Sequence, residues 1–169
     1  PPPRKDKGNP FVFLPVLKNK SAMAYAIGYC VHTWEMFTLR SWVVAFLVFT
    51  AAQDGAPNFF IPTVIAMLME VIGTATSIAG NEVAIRIGRR RFIYIVMMIS
   101  IICSIVVGFT AGLGYGAAAL VCLFYNAIIY ADSSSLTAGT VGSAEPGRRG
   151  ATLAVHAMLG YGGGFVGPL

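Results

Sequence analysis

A chain of 169 residues that is 56% hydrophobic and only 11% charged has less than half the charge of an ordinary soluble domain, where about 25% is usual. With a mean hydropathy of +0.72, this argues against a soluble enzyme or a nucleic-acid module and for a surface that faces lipid. The net charge of +5 does not imply a nucleic-acid partner, because the Lys and Arg cluster at the boundaries between apolar segments.

The expected fold is all-α, a polytopic membrane helix bundle with five transmembrane helices. Residues 1–20, opening PPPRKDKGNP, read as a polar, proline-rich cytoplasmic linker with no secretory signal. Residues 21–169 form the membrane domain. A bilayer core of about 30 Å takes about 20 apolar residues in helix, and the first span is predicted over 23–52, with Glu35 and Arg40 in its middle. Tyr25, Tyr29, His32, Met36 and Arg40 share an arc of about 80°, with Glu35 about 60° to one side of His32. A loop around Gln53 to Pro57 follows, without Lys or Arg.

The second span is predicted over 59–79. Thr63, Met67, Glu70, Thr74, Ser77 and Asn81 share one of its faces. Residues 81–91 read as a loop. The uncharged stretch 92–131 holds the third span, 92–112, then a glycine turn and the start of the fourth, 115–136. Asn126, Tyr130, Ser133 and Thr137 make a polar stripe there, with Asp132 to its side near the cytoplasmic end. The fifth span, 151–169, contains His156. Cys30, Cys103 and Cys122 lie in apolar stretches with no paired spacing, so they read as packing residues, not as a disulfide or metal site.

Eleven of the twelve Lys and Arg fall before the first span or on alternate loops, which by the positive-inside rule makes those loops and the N-terminus cytoplasmic. Arg40 is the twelfth. An ionised side chain near the bilayer centre costs at least about 2.5–3.5 kcal/mol, so Glu35, Arg40, Glu70 and Asp132 stand out. Glu35 lies about 140° round the helix from Arg40, a poor direct partner. A cross-helix acid such as Glu70, or an anionic solute, suits Arg40 better, and the polar stripes are expected to face one another around a water-accessible cavity.

The sequence Arg86-x-Gly88-Arg89-Arg90 resembles the loop signature of the major facilitator superfamily. Ile85 stands where that family has an aspartate and Asn81 where it has a leading glycine, and Glu82 is the acid available instead. Arg148-Arg149-Gly150, followed by Gly160, Gly163, Gly164, Gly167 and Pro168, is similar to the family's glycine-rich helix with its antiporter-type end. His32-x-Trp34-Glu35…Arg40-x-Trp42 is similar to a helix of a bacterial subgroup. The proline-rich start resembles the family's central linker. With the chain ending inside its fifth span, the expectation is a fragment of the second half, spans seven to eleven.

The resemblance implies a secondary active transporter that moves a small polar or charged solute across the bacterial inner membrane by alternating access, with ion or proton coupling. His32, Glu35 and Arg40, with Tyr25, Tyr29 and Tyr130, are the candidates for solute contact, and Glu70 and Asp132 for proton coupling. Glu82, Arg86, Gly88, Arg89 and Arg90 are the candidate gate, while Gly160, Gly163, Gly164, Gly167 and Pro168 are expected to pack helices closely. The partners are then the bilayer, the solute and the missing half of the transporter, with no cofactor, no metal and no nucleic acid. No nucleophile–base pair and no Gly-x-x-x-x-Gly-Lys is present, so neither an enzyme nor an ATP-driven pump is expected. The rivals are a structural or assembly subunit of a membrane complex, a channel, and a membrane-embedded enzyme using His32, Glu35 and His156.

Overall fold

The computed structural model describes residues 13–55 and 61–169. Every regular element among them is helical: α1 (Leu14–Lys18), α2 (Lys20–Asp54), α3 (Pro62–Ile87), α4 (Arg89–Phe109) with a 3-10 turn at Thr110–Leu113, α5 (Tyr115–Ala131), α6 (Ser133–Gly142) and α7 (Arg149–Val166). The linker residues 1–12, and residues 59 and 60 of the expected second span, lie outside the described residues.

Local chemistry sets the boundaries. Asn19 caps α2 through its Oδ1, which accepts from the Ala22 amide at 3.1 Å. Pro62 opens α3 in the first turn, where its missing N–H is harmless. Asp54, the last residue of α2, reaches across to the start of α5, and its Oδ2 accepts from the Tyr115 amide at 2.7 Å. Gly88 and Gly114 take φ of +93° and +94°, values open to glycine and strained for any L side chain.

Among the described residues four segments are long and apolar enough to cross a membrane: Lys20–Asp54, Pro62–Ile87, Arg89–Leu113 and Tyr115–Gly142, the last being α5 and α6 together. α7 is not one of them, because Arg149, His156 and its glycines dilute its apolar residues. The first helix, at 35 residues, measures about 52 Å and exceeds the bilayer core.

Two expectations are corrected here. Residues 81–91 are not a loop: α3 runs on through Ile87, Gly88 alone breaks the chain, and α4 starts at Arg89. The residues from Asn81 to Ile87 include no helix breaker, so the charge boundary and the helix boundary fall at different places. The fourth span also does not end at 136. The helix is interrupted at Asp132 and continues as α6 to Gly142, and Asp132 is buried in the bundle, at 2% exposure.

The bundle carries large apolar side chains outside and holds polar ones inside, beside its apolar core. Trp42, Ile102, Ile105, Leu120, Phe124 and Phe165 are exposed, whereas His32, Thr33, Ser100, Asn126, Asp132 and His156 are buried. That inversion suits lipid and not water as the surrounding solvent. The main apolar core joins Leu39, Val43 and Leu47 of α2 to Met69 of α3 and to Cys122 and Ile129 of α5. Small residues bring backbones together: a Cβ on Gly80 would strike the Ala131 carbonyl, and one on Gly163 the Cys30 carbonyl.

Candidate functional site

Three polar centres lie along α2, around Arg40, His32 and Glu35. The first joins α2, α3 and α5. Arg40 Nε stands 3.0 Å from Glu70 Oε1, each side chain about two-fifths exposed. The Tyr130 hydroxyl donates to Glu70 Oε2 at 2.9 Å, and the Arg40 guanidinium carbon lies 5.5 Å from the centre of the Phe37 ring. Tyr130 comes so close because Gly73 of α3 leaves its ring room; a Cβ there would stand 2.7 Å from the ring. Arg40 and Glu70 line a recess of about 310 Å³, along with Thr63 and Met67.

The second centre is closed. His32 Nδ1 lies 2.9 Å from Asp132 Oδ1, with both side chains almost wholly buried. Asp132 occupies the break between α5 and α6, where the interruption turns a carboxylate toward α2. Tyr29 stacks between two imidazoles, its ring centre 5.6 Å from that of His32 and 4.0 Å from that of His156. Thr140 and Thr137 hydroxyls lie 3.0 and 3.3 Å from Nδ1 and Nε2 of His156. His32 Nε2 is buried without a hydrogen-bond partner.

The third centre is Glu35, whose Oε1 accepts from Ser100 at 2.7 Å and from the Tyr125 hydroxyl at 2.6 Å. A small cavity of about 130 Å³ separates it from the second centre, lined by His32, Glu35, Ser100 and Asp132 among apolar residues. It is polar and roomy enough for water. Of the expected solute set, His32 and Glu35 line this one cavity, while Arg40 stands apart with Glu70. Tyr130 belongs with Arg40, Tyr29 with His32, and Tyr25 packs against Gly139 of α6.

At the basic end, Arg86 binds Glu82 one turn away, at 3.1 Å from Nε and 2.9 Å from Nη2. Arg148 similarly pairs with Glu145 at 3.1 Å. Both pairs are local, not ties between helices. Arg89 is half-buried with an unpartnered Nε, and Arg90 is exposed. Along α7, Gly160 faces the Tyr29 ring, Gly163 the Cys30 carbonyl, Gly164 Phe37 and Gly167 the Trp34 carbonyl. Thr33 and Thr38 hydroxyls donate to the Gly160 and Gly167 carbonyls, each at 2.8 Å, tying α2 to α7. Pro168 lies just past the end of α7.

Sequence reasoning missed Ser100 and Tyr125 as partners of Glu35, Thr137 and Thr140 as partners of His156, and Asp54 as a cap. Only the last had a local signal, an acid next to Gly55 at a helix end. Among the described residues no three His, Cys, Asp or Glu side chains gather as a metal ligand set.

No family model, no curated protein and no solved structure matches this chain. Its function has to be read from these centres and from the sequence motifs.

Proposed function

We propose that the chain is part of a secondary transporter of the major facilitator type that moves a small solute, best an organic anion, by alternating access with a proton as coupling ion. In this reading α7 is the fifth span, the chain corresponds to spans seven to eleven, and the remaining half faces the Arg40 recess. The basic end and the N-terminus are on the cytoplasmic side of the inner membrane.

The observation that carries the reading is the half-open pair of Arg40 and Glu70. A purely structural ion pair in lipid gains from full enclosure and further hydrogen bonds; this one borders an open recess. While Glu70 is ionised, Arg40 is neutralised. A proton taken up on the Glu70 carboxyl removes the charge that holds the guanidinium and leaves its N–H groups for the carboxylate or phosphate of a solute. One proton then accompanies one anion; when the anion departs, the freed Arg40 charge favours the ionised Glu70 carboxylate, whose proton leaves to water. Tyr130 steadies Glu70 in both states, and the glycine face of α7 gives α2 a smooth surface to shift against.

The test is uptake of labelled small organic anions by cells producing the full-length protein, normalised to its abundance in the membrane. Arg40→Lys should insert normally yet raise KM about tenfold or more, because the planar fork is lost. Glu70→Gln should leave uptake insensitive to the pH gradient. Unchanged KM in Arg40→Lys, with loss of folded protein in Arg40→Ala, would contradict the proposal.

A second reading, a structural or assembly subunit of a membrane complex, is favoured by polar groups that satisfy one another. The Ser77 and Ser134 hydroxyls meet at 2.6 Å, and Asn126 donates to the Met69 carbonyl. That reading expects Arg40→Lys to change assembly and not transport.

A further inference from the structure

A groove of about 580 Å³ opens between α2 and α4 at the end of the bundle where both helices begin. Its rim carries Lys20 and Arg90, one cation from each helix, with Ser21, Tyr25 and Tyr94 beside them. Its floor is apolar, formed by Gly28, Met97 and Leu136. Gly28 lies eight residues below Lys20 and Met97 seven below Arg90, so the charged rim and the apolar floor are separated by about 10–12 Å along the helix axes. Among the described residues no acid lines the groove. Among the described residues every ion pair is made by other side chains, leaving Lys20 and Arg90 with no carboxylate.

The acids at this end, Glu82 and Glu145, pair with Arg86 and Arg148 and not with the groove's cations. Neither α2 nor α4 has an acidic residue in its first turn, and α4 opens with three arginines and no side-chain cap. Cations at the positive end of a helix dipole are unfavourable, and an anion placed there relieves them. A soluble anion would account for the rim but not for the apolar floor below it.

We propose that this groove is a binding site for one anionic phospholipid. Its phosphate sits between Lys20 and Arg90, its polar headgroup meets Ser21 and the two tyrosines, and one acyl chain runs down over Gly28, Met97 and Leu136. A basic pocket between transmembrane helices, with an apolar slot continuous with it, has the polarity profile of such a lipid. The inference stands on the groove alone and holds whether or not the protein is a transporter.

The test is lipid retention by the purified full-length protein, read by native mass spectrometry after exchange into mixed micelles of phosphatidylglycerol and phosphatidylcholine. One phosphatidylglycerol should be retained over phosphatidylcholine by about tenfold or more. The preference should vanish in the Lys20→Gln/Arg90→Gln double variant and persist in Lys20→Arg. It should also persist in Lys18→Gln/Arg149→Gln, which removes equal charge from the same end outside the groove. Thermal unfolding checks that the exposed substitutions leave the fold intact. Equal retention of the two lipids, or equal loss in both double variants, would overturn the site. Displacement of the lipid by millimolar inorganic phosphate would show a free-anion site instead and would also overturn the proposal.

Discussion

Arg40 and His32 lie two turns apart on one helix and solve the same problem in opposite ways. Arg40 meets Glu70 in a recess that leaves both about two-fifths exposed, so the pair can be opened without burying a bare charge. His32 meets Asp132 in an interior that leaves each almost no surface. Removing one member of such an enclosed pair leaves the other uncompensated, at about 3–5 kcal/mol. His32→Ala should therefore lower the folded fraction in detergent titrations by that amount, while His32→Ala/Asp132→Ala should recover much of it; equal instability of single and double variants would mean the pair contributes nothing. The Arg40 partner was readable from sequence, because a lone cation in an apolar span needs an acid and Glu70 was the acid on the next span. The Asp132 partner was not, because the span was ended too early and Asp132 was taken for a boundary residue. Glu35 drew attention for the same reason as Arg40, yet its partners, a serine and a tyrosine among apolar neighbours, carry no mark of their role.

At the scale of elements, the contact of α7 with α2 is built from glycines on one side and backbone carbonyls on the other. Gly163 has the Cys30 carbonyl against it, whereas Gly162, one position away, has open space. Gly163→Ala should destabilise by about 1–3 kcal/mol, the usual penalty of overpacking. Gly162→Ala should be neutral or slightly stabilising in the same unfolding assay, since alanine suits a helix better than glycine. Comparable effects at both positions would mean that the glycines are not a contact surface. The spacing of these glycines was legible in the sequence. Gly73, Gly80 and Gly139 admit Tyr130, the Ala131 carbonyl and Tyr25, a packing role not read from the sequence. A helix end was legible at the glycine turn around Gly114 and illegible where charge alone was the guide, from Asn81 to Arg91, where the actual break is Gly88.

For the whole molecule, composition already dictated an apolar exterior, and the described residues bear this out in an outward belt of large apolar side chains around buried polar ones. Among the described residues four helical segments have the length and apolarity of spans, and Arg40, Glu35 and Asp132 are held by partners on other helices. Alternating access requires the Arg40 recess to face water and not lipid. Met67 is 70% exposed and lines that recess. In full-length protein lacking Cys30, Cys103 and Cys122, a cysteine at Met67 can be challenged with a membrane-impermeant thiol reagent from either side. Cysteines at Gly55 and Lys18, at opposite ends of α2, report which side is which. Alternating access around Arg40 and Glu70 predicts that the Met67 cysteine reacts from both sides, while the Gly55 and Lys18 cysteines each react from one. No reaction of the Met67 cysteine from either side, with both references reactive, would place the recess against lipid and contradict the account.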